Sequence, residues 1–460
     1  VEEARVTALR KVSVAILSWN GRHHLETCLP ALAAQHDPGV EWEVQVLDNG
    51  STDDTVAWMH EHWGRDRRVR LLESPVNLGF CAGNNRLMAA AGADTDAVAL
   101  LNNDTRPEPG WLGSLVEALG SAPSDVAAVS GKIVDWSGER LDFGRGLMTF
   151  DGHAFQLDFR RPLKKARVPA AGEELAFACG GNMLVRRASF LAAGGFDEDY
   201  FAYLEDVDLG WRLWSGGERI VFAPEAAVRH RSGATSDLLG LYNRGFLFER
   251  NAFLTAYKNY EPGLWERILP AVLLTLTSRT QALLESNPGA ETLRVDPYAG
   301  HIANTAANTA GKGVVASPPP PAVELPPATT WEGFKIRWRG YGPQEFLRRG
   351  LRKLGGGAAP TSPVSSGAEP PRLTDERTVA QLRATHWLLG HLDSAAARRA
   401  EVQKRRRRPD LEIFERFPLY LVPTYPGDHA LFASAGFRAW LPAYLPLVEA
   451  RLEEIMEMGG

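Results

Sequence analysis

Asn102-Asn103-Asp104 follows a run of five apolar residues, Ala97 to Leu101. A carboxylate flanked by amide side chains offers the hard oxygen ligands that Mg²⁺ or Mn²⁺ prefer. The same triplet is also good turn chemistry by itself. Farther along, Glu205, Asp206 and Asp208 place three carboxylates within four positions at the start of a predicted helix. Acidic residues there favour the helix dipole, and a carboxylate in that first turn can also act as a general base. His230 ends another apolar run, either as a structural histidine or as an imidazole close to a metal. Asp48 can accept hydrogen bonds from a nucleobase N–H or a ribose hydroxyl, or serve an Asx turn. Gly79 and Gly83 would let backbone approach a ligand closely, as would the Gly180-Gly181 break that precedes Asn182.

Alternating strands and helices must position these groups. Val12 to Leu17, Val44 to Leu47, Val69 to Leu72 and Ala97 to Leu101 read as strands. Helical spacing falls between them, at Leu25 to Ala34, after Ser51 or Thr52 as a cap with Val56 and Met59 buried, and at Arg86 to Ala91. This order predicts an α/β fold with a mostly parallel sheet and right-handed crossovers. Ligands of such sheets bind beyond the carboxyl ends of the strands, where each strand here runs into a polar cluster. Val126 to Ile133 is a further strand, Trp136 to Asp158 reads as a hairpin or flap, and Phe177 to Val185 is strand-like. There is no G-x-G-x-x-G after the first strand and no Walker A lysine, so dinucleotide and P-loop readings lack their central residues.

With 460 residues, 44% of them apolar and 23% charged, the chain has material for two or three domains. A net charge of -5 gives no global attraction to nucleic acid or anionic lipid. Cys28, Cys81 and Cys179 are widely spaced, which predicts buried free thiols in a reducing compartment. Residues 1–11 lack an apolar signal core, and Ile268 to Leu276 is too short to span a bilayer, so a cytoplasmic protein is expected.

The sequence resembles the family-2 glycosyltransferases over roughly residues 12–236. The matching segments are Val-Ala-Ile-Leu-Ser-Trp-Asn (14–20), Leu-Asp-Asn-Gly-Ser-Thr-Asp (47–53), Asn-Leu-Gly-Phe-Cys-Ala-Gly-Asn-Asn (77–85) and Leu-Asn-Asn-Asp (101–104). Gly-Gly-Phe-Asp-Glu (194–198), the run from Tyr203 to Arg212, and His230 complete the set. The likeness is greatest to rhamnosyltransferase-type members of bacterial cell-surface polysaccharide pathways. It implies a GT-A fold: a mostly parallel sheet flanked by helices, here with a helical C-terminal extension. It also implies a nucleoside-diphosphate sugar donor held by Ser18, Asn20, Asp48, Asn77, Gly79, Asn85, Asn102, Asn103 and Asn182. Mg²⁺ or Mn²⁺ would be bound by Asp104 and His230, and Asp206, beside Glu205, would be the catalytic base of an inverting transfer to a glycan or lipid-linked acceptor. Asn102 stands where the family's metal motif has its first aspartate, and it is the weaker ligand. The other readings are an inactive sugar-nucleotide-binding scaffold and a sugar-1-phosphate nucleotidyltransferase, although the Gly-rich Arg/Lys loop of the latter is missing.

The second half is read as a helical appendage (237–316), a Pro-rich linker (317–330), a basic aromatic segment (331–354), a flexible linker (355–371) and a C-terminal helical region (372–460). Within the appendage, Ile268 to Leu284 reads as a helix with Pro270 in its first turn. The appendage helices either pack on the core or touch a lipid-linked acceptor at a membrane surface. The segment from Trp331 to Leu354 suits an anionic bilayer or a solvated helix face. The basic run from Lys404 to Arg408 lacks an interleaved aromatic reader, so nucleic-acid binding is not expected.

Overall fold

The computed structural model describes residues 8–231, 236–286, 376–425 and 427–457. Strands and helices alternate from the start: β1 (Lys11–Ser18), α1 (Arg22–Ala33), β2 (Glu41–Asn49), α2 (Thr55–Trp63), β3 (Val69–Ser74), α3 (Gly79–Ala90) and β4 (Ala97–Leu101). The four strands lie parallel in the order β3-β2-β1-β4. Every residue of β4 is buried, as an unbroken apolar run in a strand covered on both faces requires.

The chain continues through β5 (Thr105–Pro107), α4 (Trp111–Gly120), β6 (Val126–Asp135), β7 (Leu141–Phe143) and a hairpin of β8 (Gly146–Met148) and β9 (Ala154–Gln156). Then come β10 (Asn182–Arg186), α5 (Arg187–Ala193), α6 (Glu205–Ser215) and β11 (Arg219–His230). The sheet is mixed here. β10 runs antiparallel between β4 and β6, β11 lies parallel to β6, and β5 pairs antiparallel with β11. This register gathers the polar clusters at one edge. Ser18 pairs with Asp48, Asn182 lies opposite Leu101, and His230 lies opposite both Thr105 and Asp135. Pro224 is tolerated within β11 because the register shifts between Ala223 and Ala227.

Three local expectations need correction. Ser51 and Thr52 do not cap α2: the Ser51 hydroxyl accepts the Asn20 N–H at 2.8 Å, and the Thr52 N–H donates to Asn20 Oδ1 at 2.8 Å. Instead Asp53 Oδ1 accepts the N–H of Thr55 at 3.0 Å. The third helix begins at Gly79, a full turn and more before Arg86, because Asn77 Oδ1 accepts the Gly79 N–H and Phe201 O accepts the next two N–H groups. The helix expected at Ile268 starts at Pro262, so Pro270 lies in its interior and removes one ladder bond there. The C-terminal helical region opens with two helices, broken at His391.

Past β11 come α7 (Ser236–Asn259), α8 (Pro262–Ser286), α9 (Glu376–Gly390), α10 (Leu392–Arg405) and α11 (Asp410–Arg416). They are followed by β12 (Leu419–Leu421), α12 (Asp428–Ala433), α13 (Ala435–Arg438), β13 (Leu447–Glu449) and α14 (Leu452–Ile455). The stretches at 317–330, 331–354 and 355–371 lie outside the described residues. Among the described residues, no helix is long and apolar enough to cross a membrane.

These later elements pack on the back of α6. The Trp211 ring meets Tyr260 and Phe414 edge-on, and its Nε1 donates to Asp410 Oδ1 at 3.1 Å. The basic run closes the C-terminal end of the same helix. Arg407 and Arg408 donate their N–H groups to Ser215 O, and the Arg408 guanidinium donates to the carbonyls of Trp214, Gly217 and Glu218. Cations suit that end of a helix, where carbonyls lack ladder partners. Lys258 of α7, fully buried, bridges Asp197 at 2.5 Å and Asp208 at 3.0 Å.

Candidate active site

Asp104 leaves the end of β4 and faces the last residue of β11: its Oδ1 lies 3.3 Å from His230 Nε2. The other imidazole nitrogen, Nδ1, is 2.7 Å from Asp142 Oδ2. Burial works against both charges, yet the pair supports itself. Next to His230, the Asp104 carboxyl is held below its ordinary range, and the two carboxylates push His230 up to about 10. A carboxylate on the far nitrogen is how proteins orient a metal-binding imidazole. Asp142 does this here, leaving Nε2 directed at Asp104. Among the described residues, no group of three His, Cys, Asp or Glu side chains is arranged to hold a metal. Two protein ligands still fit a Mg²⁺-like ion, which keeps several waters and completes its shell with substrate phosphates. A divalent ion would displace the proton that His230 carries at Nε2, and with that exchange the donor set fits one.

Glu205 and Asp206 open α6. Glu205 is buried and its Oε2 has no hydrogen-bond partner. Burial, then the adjacent Asp206 charge, pushes its carboxyl well above the usual range. Burial also raises Asp206, but the N–H groups of Gly180 (3.1 Å) and Val207 (2.9 Å) donate to its two oxygens and favour the ionised form. Burial thus opposes charge on both carboxyls, and the two backbone donors at Asp206 favour its ionised form, a support that the unpartnered Glu205 Oε2 lacks.

One short segment joins the two acidic centres. Asn102 N–H donates to Gly181 O at 3.2 Å, while the neighbouring Gly180 N–H donates to Asp206. A Cβ at Gly181 would lie 2.9 Å from Asn102 Nδ2, so a larger residue there would displace the Asn102 side chain. Asn102, two residues before Asp104, and Asp206 therefore meet the same turn.

Asp48 is buried at the end of β2. Its Oδ2 accepts the Ser51 N–H at 3.0 Å, and its Oδ1 has no partner. Ser18 lies beside it in register and accepts from Asn103 Nδ2 at 3.0 Å. Asp48, Ser18, Asn103 and Asp104 thus form a row along the sheet edge.

Other residues expected to line a donor are occupied within the protein. Asn20 Oδ1 holds the 52–53 backbone. Asn77 accepts from Asn49 Nδ2 and the Gly79 N–H. Both hydrogen-bonding ends of the Asn85 amide grip the backbone of Phe196. Gly79 and Gly83 make room for packing: a Cβ at either would lie 2.5 Å from the Phe201 ring or the Leu17 side chain. Asn182 is fully buried. Its Oδ1 accepts from Trp111 Nε1 at 2.7 Å, and its Nδ2 donates to Lys132 O and to Ala226 O in the β11 bulge. Asn182→Ala is accordingly expected to lower unfolding free energy by about 2–5 kcal/mol, since three buried polar groups lose a partner. Urea denaturation checks this, with donor affinity of the folded variant unchanged.

Sequence reasoning missed Asp142, which lies in a stretch of mixed polarity with no periodic signal, and it missed the role of the Gly180 N–H. It also missed Trp136, whose ring carries Arg231 at 4.1 Å and Arg106 at 5.5 Å beside the Asp104–His230 pair. The cysteines are free thiols, Cys28 and Cys81 buried and Cys179 half-buried; burial pushes Cys28 up to about 12.

Comparison with known proteins identifies the family. The family model described as Glycosyl transferase family 2 matches residues 13–192. The N-acetylglucosaminyl-diphospho-decaprenol L-rhamnosyltransferase of Mycobacterium tuberculosis is 32% identical over 235 residues, which are 47% of this chain and 75% of that protein. The O-antigen biosynthesis protein RfbC of Myxococcus xanthus is 30% identical over 236 residues, 49% of this chain but 18% of the relative. Among solved structures, S. aureus TarS 1-349 in complex with UDP-GlcNAc superposes with a TM-score of 0.41 at 17% identity, covering 65% of this chain and 80% of that one.

Proposed function

Because this chain belongs to glycosyl transferase family 2, we propose that it moves a sugar from a nucleoside-diphosphate donor to an acceptor hydroxyl with inversion at the anomeric carbon. The observation that carries this reading is the turn at 180–181, which Asn102, two residues before Asp104, and Asp206 at the start of α6 both contact. Residues 12–236 supply the donor site and the chemistry, and the helices that follow support them. The unpartnered Asp48 Oδ1 is available to a base N–H or ribose hydroxyl of the donor. Asp206 takes the proton from the acceptor hydroxyl as that oxygen attacks the anomeric carbon. The new C–O bond forms on one face while the bond to the nucleoside diphosphate breaks on the other. No protein nucleophile is needed, so a single displacement inverts the centre. Mg²⁺ or Mn²⁺ held by Asp104 and His230 would supply Lewis-acid stabilisation of charge on the departing diphosphate.

The rhamnosyltransferase relative is named for a diphospho-lipid acceptor, and we propose an acceptor of that class here. Such a lipid carrier presents its sugar at a bilayer surface, so peripheral membrane contact at the cytoplasmic face belongs to the same proposal.

Release of nucleoside diphosphate from a donor panel, with an isoprenoid-diphosphate sugar as acceptor, tests the reading. Release should require both acceptor and Mn²⁺ or Mg²⁺, and chelation should abolish it. Asp142→Ala, which frees the far nitrogen of His230, is expected to raise the Mn²⁺ concentration for half-maximal activity ~10–100-fold. Donor binding without release under every ion would mean an inactive binding protein.

A further inference from the structure

The backbone leading into α6 is conformationally unusual. Phe201, Tyr203 and Leu204 have φ of 61°, 71° and 63°, and none is glycine. Residues in that region persist only where their surroundings over-determine them, and they collect at functional sites.

Here the surroundings are α7. Asn251, fully buried, directs its amide nitrogen at three carbonyls of this loop: Tyr200 at 3.1 Å, Ala202 at 2.8 Å and Tyr203 at 2.7 Å. Arg250 sets which end of the amide faces the loop. Its Nε donates to Asn251 Oδ1 at 2.9 Å, and its Nη2 donates to Tyr200 O at 2.8 Å. The Arg250 guanidinium in turn lies 4.6 Å over the Trp387 ring of α9 and 5.1 Å over Phe246. The remaining carbonyl, Phe201 O, accepts the N–H groups of Phe80 and Cys81 at 2.7 and 3.1 Å. Every carbonyl from Tyr200 to Tyr203 therefore has a donor. Asn251 donates to three of the four, and Tyr200 O also accepts from Arg250 Nη2 and the Ala202 N–H.

We propose that Asn251 is a positioning residue for sugar transfer: it holds the 200–204 backbone in the left-handed shape that sets Asp206 against Gly180. The proposal rests on Asp206 being the base. Without the amide, the Ala202 and Tyr203 carbonyls lose the Asn251 donor and Tyr200 O loses one of several, and the loop relaxes toward ordinary negative φ. The first turn of α6 moves with it. A displacement of about 1 Å at a reacting group is enough to cost ~100-fold in rate. The C-terminal helices thereby gain a part in the reaction, because α9 backs Arg250, Arg250 orients Asn251, and Asn251 shapes the entry to α6.

The test compares Asn251→Ala and Asn251→Asp with Asp206→Asn, with kcat taken per folded molecule. Asn251→Ala is expected to lower kcat ~10–100-fold with donor KM within about two-fold. Asn251→Asp has the same size but turns a carboxylate toward three carbonyls, so it should fall at least as far. A merely space-filling role would leave Asn251→Asp near the parent. Normal kcat in both variants, with only a lower melting temperature, would overturn the proposal. Should neither fold, Arg250→Lys takes their place: it keeps the charge, loses the contact that orients the amide, and should lower kcat ~3–10-fold with unchanged donor KM. Unchanged kcat there also overturns the proposal. Near-normal turnover by Asp206→Asn would remove the base assignment and this proposal together, whereas an inert Asp206→Asn beside active Asn251 variants would remove this proposal alone.

Discussion

Replacing Asp206 with asparagine is expected to cut turnover ~10²–10⁴-fold, the usual contribution of a positioned general base. Donor affinity should stay within about two-fold, because the side chain changes by one atom and leaves the Asp48 row untouched. Asparagine can still accept the Gly180 N–H, so the turn at 180–181 keeps its contact. The pH profile of the parent gives an independent check. Burial raises both carboxyls of the 205–206 pair. The base works only when ionised, so kcat should fall on the acid side, with the limb above the ~4 of an ordinary carboxylate. A parent whose turnover stayed level down to that ordinary range, or an asparagine variant that kept its rate, would assign the proton transfer elsewhere.

Removing the Lys258 charge should have the largest effect on stability. Lys258→Met leaves the buried Asp197 without its nearest cation and Asp208 with Arg212 alone, and breaking one side of such a pair costs about 3–5 kcal/mol. Burial opposes the Asp208 charge, but Arg212 and then Lys258 hold its carboxyl down to about 2. A carboxyl depressed on folding contributes stability above its unfolded value, near ~3.9. That stability is lost as pH falls through the folded value. The deficit of Lys258→Met should therefore be full at neutral pH and shrink between ~pH 4 and ~pH 2, where protonated carboxyls no longer need the ammonium. Denaturant midpoints of parent and variant across that range measure it. A deficit independent of pH would assign the loss to packing of the lysine stem over Tyr200, whose ring centre lies 4.4 Å from Nζ.

The α/β order, the buried run at Ala97 to Leu101 and the polar ends of successive strands were legible without coordinates. Each depends on residues close together in the chain: an apolar run sized for a strand, then a break rich in Asn, Asp and Gly. The pairing of Asp104 with His230 was legible only through resemblance, since nothing local links positions 126 residues apart. Chain direction in the second half of the sheet was not legible at all, because antiparallel β10 looks like any other apolar strand until its neighbours are known.

The sequence by itself determined the set of chemical groups and the edge on which they end up. Only the tertiary structure decided what each of them meets. Asn77, Asn85, Asn103 and Asn182 have the same side chain, yet within the protein they bond to Asn49, to the Phe196 backbone, to Ser18, and to Trp111 with the β11 bulge. An amide has no intrinsic preference between a ligand and a distant backbone group. Its use is settled by whatever the fold brings within about 3 Å, and for Asn85 that partner lies 111 residues away. The same holds for the C-terminal helices, whose composition carries no chemistry. Their contacts with α6 and α7 set the shape of the loop that precedes Asp206.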